Sequence, residues 1–108
     1  MTLENQMRTR DSTRITLDPP TYSPTSELRA KYLQRHKDEL ESLRDHAEAE
    51  EWKPIMTIAN HVRGTGAMYG FPDMGEAAEN LVKAVQGGEA NPMEYLEEYI
   101  KSVSESYV

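Results

Sequence analysis

The residues of this chain that are best suited to chemistry lie close together: His61, Arg63, Gly64 and Gly66. They belong to the stretch IANHVRGTGAMYGF, residues 58–71, which carries helical spacing of apolar positions. An imidazole is mostly neutral near pH 7 and can act as a nucleophile, while a guanidinium binds anionic oxygens. Glycine costs roughly 1 kcal/mol relative to alanine inside a helix, so these glycines indicate close packing or access for a partner.

The faces of this helix follow from an advance of roughly 100° per residue. With Val62 at the centre of the buried side, Asn60 lies roughly 160° away, at the middle of the exposed side. The positions that share the buried side with Val62 are Ile55, Ile58, Gly66 and Tyr69. Those that surround Asn60 on the exposed side are Met56, Arg63, Gly64 and Ala67, with His61 and Met68 on a flank.

The exposed side combines a cation with open space around a small polar group. Arg63, at i+3, can reach over Asn60, and Gly64, at i+4, has no side chain to obstruct it. An anionic group approaching this side meets guanidinium donors. We therefore expect Gly64 to provide access, and the inward-pointing Gly66 to allow close helix packing.

Four amphipathic helices are predicted to position these residues. The first runs from about Ser26 to Glu48, is capped by Thr25 or Ser23, and carries His36 on its apolar stripe and His46 near its end. The second spans roughly Lys53 to Tyr69.

The third and fourth helices have recognisable start signals. The third begins after Pro72, with Asp73 as N-cap and Glu76 completing a capping box, and ends at Gly87-Gly88. The fourth opens at Asn91-Pro92 and buries Leu96, Ile100 and Val103, with Tyr95 and Tyr99 flanking that stripe. Short loops between such helices predict an all-α fold, an antiparallel four-helix bundle over residues 25–108.

Composition restricts the function. The 108 residues include no cysteine, which excludes disulfides and thiolate chemistry, and the net charge of −7 disfavours nucleic-acid binding. The charges of residues 1–24 cancel, so the acidity belongs to residues 25–108, and we expect residues 1–24 to form a flexible or loosely docked arm. No membrane span or signal peptide is evident, and we expect a cytoplasmic monomer without metal or cofactor.

The stretch around Asn60 resembles the histidine phosphotransfer (HPt) domain, whose signature is Ala-His-x-Leu-Lys-Gly, then small residues and an aromatic-Gly-Phe/Leu ending. Here it reads ANHVRG over residues 59–64 and TGAMYGF over residues 65–71, and the resemblance covers residues 26 to about 103. It implies a four-helix bundle whose exposed histidine accepts a phosphoryl group from an aspartate of a response-regulator receiver domain. It also implies that the acidic pocket of the receiver encloses the imidazole and supplies the metal ion.

The chain departs from this pattern at its central position. Counted back from Arg63-Gly64 and from Tyr69-Gly70-Phe71, the family histidine corresponds to Asn60, and His61 occupies the variable position after it. A carboxamide nitrogen has no usable lone pair and cannot carry a phosphoryl group. Shifting the register by one residue would rotate everything downstream by about 100° and remove Val62 from the core.

Three functional hypotheses follow. In the first, which we favour, the domain binds a receiver domain or a sensor kinase without carrying phosphate, and is not an enzyme. In the second, His61 is a displaced phospho-acceptor, although roughly 1 Å of misalignment can cost about 100-fold in transfer rate. In the third, the chain is an adaptor bundle outside two-component signalling. Under the first two, we expect docking on small and apolar surface supplied by Met56, Ala59, Gly64 and Ala67, with Met68 beside it.

Overall fold

The computed structural model describes residues 24–88 and 91–108, and the regular secondary structure of these residues is entirely helical. The helices are α1 (Ser26–Asp38), α2 (Leu40–Glu48), α3 (Trp52–Thr65), α4 (Pro72–Gln86) and α5 (Met93–Ser104). Within the described residues, none of these helices is long and apolar enough to cross a bilayer. Residues 1–23, almost the whole of the predicted arm, lie outside the described part, so the arm remains a prediction.

The first predicted helix is interrupted once. Thr25 caps α1 as expected, because its hydroxyl accepts a hydrogen bond from the backbone N–H of Leu28 at 3.1 Å. The prediction of one helix from Ser26 to Glu48 is wrong at Glu39, where α1 ends with φ −85° and ψ −10° and α2 begins at the next residue. The Glu39 carboxylate turns back to the ring of His36 at this point, so the interruption coincides with a local side-chain contact.

The four-helix bundle is confirmed, with α1 and α2 together forming its first member. One core joins all the members, and its most fully enclosed side chains are Leu43, Ile55, Val62, Met74, Leu81, Leu96, Tyr99 and Val103. The predicted apolar stripes supply this core, as expected for amphipathic helices that bury one side. Tyr99 differs from the prediction, since it is 1% exposed and belongs to the core rather than to its flank.

The junction between α3 and α4 is closer than side chains would allow. A Cβ added to Gly66 would lie 2.8 Å from the backbone nitrogen of Gly75 in α4, so the expected packing role of Gly66 is confirmed. The helix ends at Thr65 rather than at Tyr69, and residues 66–70 form turns. Gly70 adopts a φ of +91°, a left-handed conformation that stops helical continuation and suits glycine.

The start of α4 corrects the predicted capping box. The helix begins at Pro72, its N-cap residue is Phe71, and no side-chain hydrogen bond caps it. Proline is favourable in the first turn because its fixed φ suits a helix and its missing N–H needs no partner there. Asp73 therefore lies inside the first turn, where its carboxylate faces the positive end of the helix dipole.

Candidate functional site

The outer face of α3, a name we use for Asn60, Arg63 and Gly64 together with Ala67 in the turn after the helix, is exposed as predicted. A Cβ added to Gly64 would meet no atom within 4 Å, so the surface beside Asn60 is open. Met68 borders this face and is 46% exposed.

Two residues assigned to the docking surface are less accessible than expected. Ala59 is 1% exposed and lies in the core, so its assignment to that surface was wrong. The reason is helical phase: Ala59 precedes Asn60 by about 100° and is closer to the direction of Val62. Met56 is half-buried and packs against the core, so only part of its side chain borders the outer face.

The carboxamide of Asn60 has a defined orientation. Its Nδ2 donates a hydrogen bond to the backbone oxygen of Met56, one turn earlier in α3, at 3.0 Å. The amide nitrogen is thereby engaged with the helix. What Asn60 leaves available is the carbonyl oxygen Oδ1, which accepts hydrogen bonds, and the second N–H of Nδ2, which can donate one.

The electrostatics of α3 contrast with those of the whole chain. The helix contains no aspartate or glutamate, while its charged side chains are Lys53 and Arg63. Arg63 forms no ion pair with the residues that the structure describes, so its guanidinium is available on the outer face of α3. In a chain of net charge −7, this helix is a local cationic surface.

His61 lies on the flank of the outer face, exposed to solvent and turned toward α1. The centroid of its ring lies 5.9 Å from that of His36 and 6.5 Å from that of Tyr32. The backbone oxygen of His61 accepts a hydrogen bond from the hydroxyl of Thr65 at 2.8 Å, and the same hydroxyl lies 2.7 Å from the Tyr32 hydroxyl. The position of His61 is therefore tied to α1.

Arg29 and Tyr32 of α1 support the site and were not singled out from the sequence. Tyr32 stacks on Tyr69 with centroids 4.2 Å apart and rings 8° from parallel. The Nε of Arg29 donates to the backbone oxygen of Tyr69 at 3.0 Å, and its guanidinium carbon lies 5.3 Å from the centroid of Phe71. Together they hold the loop after α3; the spacing of residues 29, 32 and 36 on one helix face was the available signal.

His36, which the sequence places on the apolar stripe of the first helix, is fully enclosed in the core, at 1% exposure. Its Nδ1 lies 2.8 Å from Oε1 of Glu39, while its Nε2 is buried and has no hydrogen-bond partner among the described residues. Burial lowers the pKa of the His36 imidazole, and the bond to Glu39 opposes this shift. His46 lies in the last turn of α2, as predicted, with its Nδ1 2.9 Å from the Glu51 carboxylate.

A further concave surface lies away from α3, between α4 and α5. A shallow groove of about 320 Å³ there is lined by several acids, among them Asp73, Glu76 and Glu98. Across residues 24–88 and 91–108, no group of three or more histidine, aspartate or glutamate side chains is arranged to hold a metal ion. Only α3, among the helices of the described residues, contains no acidic residue, so its exposed polar groups can contact a partner without a carboxylate from the same helix nearby.

The comparisons with known proteins agree with this geometry. The Hpt domain family matches the chain over residues 27–106, which covers all five helices apart from the first residue of α1. No curated protein and no solved structure gives a significant match. The match over residues 27–106 covers most of the chain, and the structure is a helical bundle. The chain is therefore a member of the Hpt domain family, the phosphotransfer modules of two-component phosphorelays.

Proposed function

We propose that this Hpt domain binds a response-regulator receiver domain or a sensor kinase through the outer face of α3, without carrying phosphate itself. The observation that carries the proposal is the state of Asn60, which we align with the family histidine. It is exposed at the centre of the face, beside the open space at Gly64, and its amide nitrogen is engaged with the Met56 backbone. Asn60 thus has the place of an acceptor but not its nucleophilic nitrogen.

The charge of α3 supports this choice of partner. A helix without acids, carrying Arg63 beside a small residue, is complementary to the acidic pocket that receiver domains present. The exposed Oδ1 of Asn60 can accept a hydrogen bond where a histidine would have received a phosphoryl group. Asn60 then serves docking, and the metal and catalytic groups of the receiver find no nucleophile opposite them.

A second candidate function is favoured by one observation, the exposure of His61 next to Asn60. In this case an unprotonated ring nitrogen of His61 forms a bond to phosphorus while the bond from phosphorus to the receiver aspartate breaks. The aspartate leaves as a carboxylate, and a phosphohistidine remains on this chain. Because His61 lies about 100° around the helix from Asn60, the receiver must dock in a rotated orientation.

Phosphotransfer from a radiolabelled phospho-receiver tests both candidates. Each receiver encoded in the same genome is phosphorylated and mixed with wild-type chain, His61→Ala or Asn60→His, and the chain is assayed for acid-labile label. We expect no label on the wild type and label on Asn60→His, which restores an acceptor. Label on the wild type that disappears in His61→Ala would instead establish His61 as the acceptor.

Binding is measured in parallel, because absence of label alone does not demonstrate docking. The unphosphorylated receivers and sensor kinases are titrated with wild-type chain and with Arg63→Gln. We expect at least one partner to bind, and Arg63→Gln to weaken it by removing the cation of the outer face. Failure to bind any receiver or kinase would overturn the proposal and favour an adaptor bundle outside two-component signalling.

A further inference from the structure

The buried ring of His36 has an incomplete set of hydrogen bonds. A carboxylate only accepts hydrogen bonds, so at 2.8 Å from Glu39 the Nδ1 of His36 must be the donor. In the neutral imidazole the other nitrogen, Nε2, then carries a lone pair and acts as an acceptor. This acceptor is buried without a donor among the described residues, which is unfavourable because it has lost its hydrogen bonds to water without replacing them.

The imidazole of His61 on α3 can supply a donor, whereas the hydroxyl of the closer Tyr32 ring is already engaged with Thr65. The two imidazole centroids are 5.9 Å apart and the rings are inclined by 35°. Two imidazoles joined by an N–H···N hydrogen bond of about 2.9 Å have centroids about 5 Å apart. A displacement of about 1 Å, well within the range of an exposed side chain, therefore completes the bond.

We propose that His36 is a positioning residue for His61: its Nε2 accepts a hydrogen bond from a ring N–H of His61, and Glu39 holds His36 in the tautomer that permits this. The three side chains then form one relay from the core of the bundle to the flank of the outer face of α3. Burial, which lowers the pKa of His36, favours the neutral form that the relay requires.

The relay fixes what His61 presents to a partner. With one ring N–H directed to His36, the other nitrogen of His61 carries a lone pair and faces solvent. This nitrogen can accept a hydrogen bond or act as the nucleophile of the second candidate function. Its use in signalling rests on the proposed function, whereas the pairing of the two rings is a property of the free chain.

The other groups around His36 define the alternatives. Tyr32 meets its ring edge-on at 4.6 Å, and Arg35 of α1 disfavours its protonation electrostatically, as does His61. On α5, the Tyr99 hydroxyl is also buried without a partner among the described residues, and burial, with a smaller contribution from the charge of Glu39, raises the Tyr99 pKa. Because both groups lack partners, Tyr99 is the alternative donor that a test must separate from His61.

Nitrogen NMR of the free, uniformly ¹⁵N-labelled full chain tests the proposal. Two-bond ¹H–¹⁵N correlations report the tautomer of each imidazole between pH 6 and 8.5. We expect His61 in the wild type to favour one tautomer. Its tautomer ratio should differ about fivefold from that of a histidine in a short peptide, because a hydrogen bond of ordinary strength changes an equilibrium by about that factor.

Three variants separate the relay from a structural role of His36. His36→Asn keeps a donor toward Glu39 but has no acceptor at the Nε2 position, so we expect its His61 to return to the peptide ratio. His36→Gln provides an acceptor near that position, so we expect it to retain the wild-type ratio. Tyr99→Phe removes the competing donor and should leave His61 unchanged, with circular dichroism checking helicity in every variant.

Two results would overturn the relay. One is a wild-type His61 whose tautomer ratio equals that of the peptide, which needs no variant to interpret. The other is a wild-type ratio that changes in Tyr99→Phe but not in His36→Asn. Because no receiver or phosphate is present, failure here is distinguishable from failure of the phosphotransfer and binding assays.

Discussion

Gly64 and Gly66, two residues apart at the end of α3, have opposite surroundings. A Cβ on Gly64 would meet no atom within 4 Å, whereas one on Gly66 would press against the Gly75 backbone at 2.8 Å. The same residue type thus leaves a surface open on one side of the helix and brings two backbones together on the other. On the inner side of α3 the choice of residue is therefore constrained by packing against α4, whereas on the outer side a small residue leaves surface open to a partner.

The distribution of charge extends this contrast to the groove between α4 and α5. The outer face of α3 has no acidic residue on its own helix, while the groove between α4 and α5 is lined by Asp73, Glu76 and Glu98. The net charge of −7 therefore describes α4 and α5 better than it describes the family motif. An acidic partner is therefore repelled by the α4–α5 groove and attracted to the outer face of α3.

The largest effect is expected from filling the inner side. Gly66→Leu places a side chain against backbone atoms that cannot rotate away, so the free energy of unfolding should fall by about 3 kcal/mol or more. Gly64→Leu, the matched control, should leave it unchanged or slightly raised. Urea denaturation of both variants measures the difference, and equal losses would contradict the contrast between the two glycines.

A charge on the outer side should affect binding rather than folding. Gly64→Glu and Ala67→Glu place an acid on the proposed docking face, and we expect at least a tenfold rise in Kd for the receiver, about 1.4 kcal/mol. Glu98→Gln in the α4–α5 groove is the control and should change Kd less than twofold. Titration calorimetry gives Kd and circular dichroism gives helicity; retained binding in both glutamate variants rules out this face.

Lowering the pH should reduce the free energy of unfolding, because the buried ring of His36 packs in the core as a neutral imidazole. Its pKa in the folded chain is depressed by burial, so the unfolded chain, in which imidazole titrates near 6.5, binds the proton first as the pH falls. The stability contributed by the neutral ring is therefore complete above about pH 6.5 and is lost below it, with a slope of at most about 1.4 kcal/mol per pH unit.

This pH dependence is measured by urea unfolding at pH 7.5, 6.5 and 5.5. His36→Gln cannot titrate and serves as the reference for the other histidines and the carboxylates. We expect the stability difference between wild type and His36→Gln to shift against the wild type as the pH falls. A difference that stays constant from pH 7.5 to 5.5 would show that the His36 proton does not participate.

The smallest effect is expected from Gly64→Ala, which tests whether the space beside Gly64 is open. Because this glycine is helical and its Cβ position is empty, Gly64→Ala should raise the free energy of unfolding by about 0.5–1 kcal/mol. A destabilising effect in urea denaturation would mean that the surface there is not open. A stabilised variant with weaker receiver binding would support access for a partner as the role of this residue.

Much of the fold could be predicted from the sequence, because the apolar residues that recur at helical spacing are the residues that the bundle buries. The stripes that include Val62, Met74 and Leu96 were predicted and are buried. The errors occur where tertiary contacts compete with local signals. Glu39 interrupts the first helix beside the ring of His36, and Pro72 rather than Asp73 determines where α4 begins.

The candidate site was predicted only in part. Helical phase predicted the exposure of Asn60, Arg63 and Gly64, because that property depends on position along one helix. It did not predict the contacts of His61 with α1, because these depend on how two helices are placed against each other. The same holds for Arg29, which reaches the backbone of Tyr69 forty residues away.

The sequence by itself determined the four helices, the resemblance to the Hpt family and the exposed side of the helix that carries Asn60, whereas the alignment of Asn60 with the family histidine stays a prediction. These are properties of composition and of residue spacing within a helix. Only the tertiary structure decided that Arg29 reaches the backbone of Tyr69, and that His36 lies near His61 with one buried nitrogen that has no partner among the described residues. The physical reason is that accessibility and hydrogen-bond partners between helices depend on packing across the bundle, which no single segment encodes.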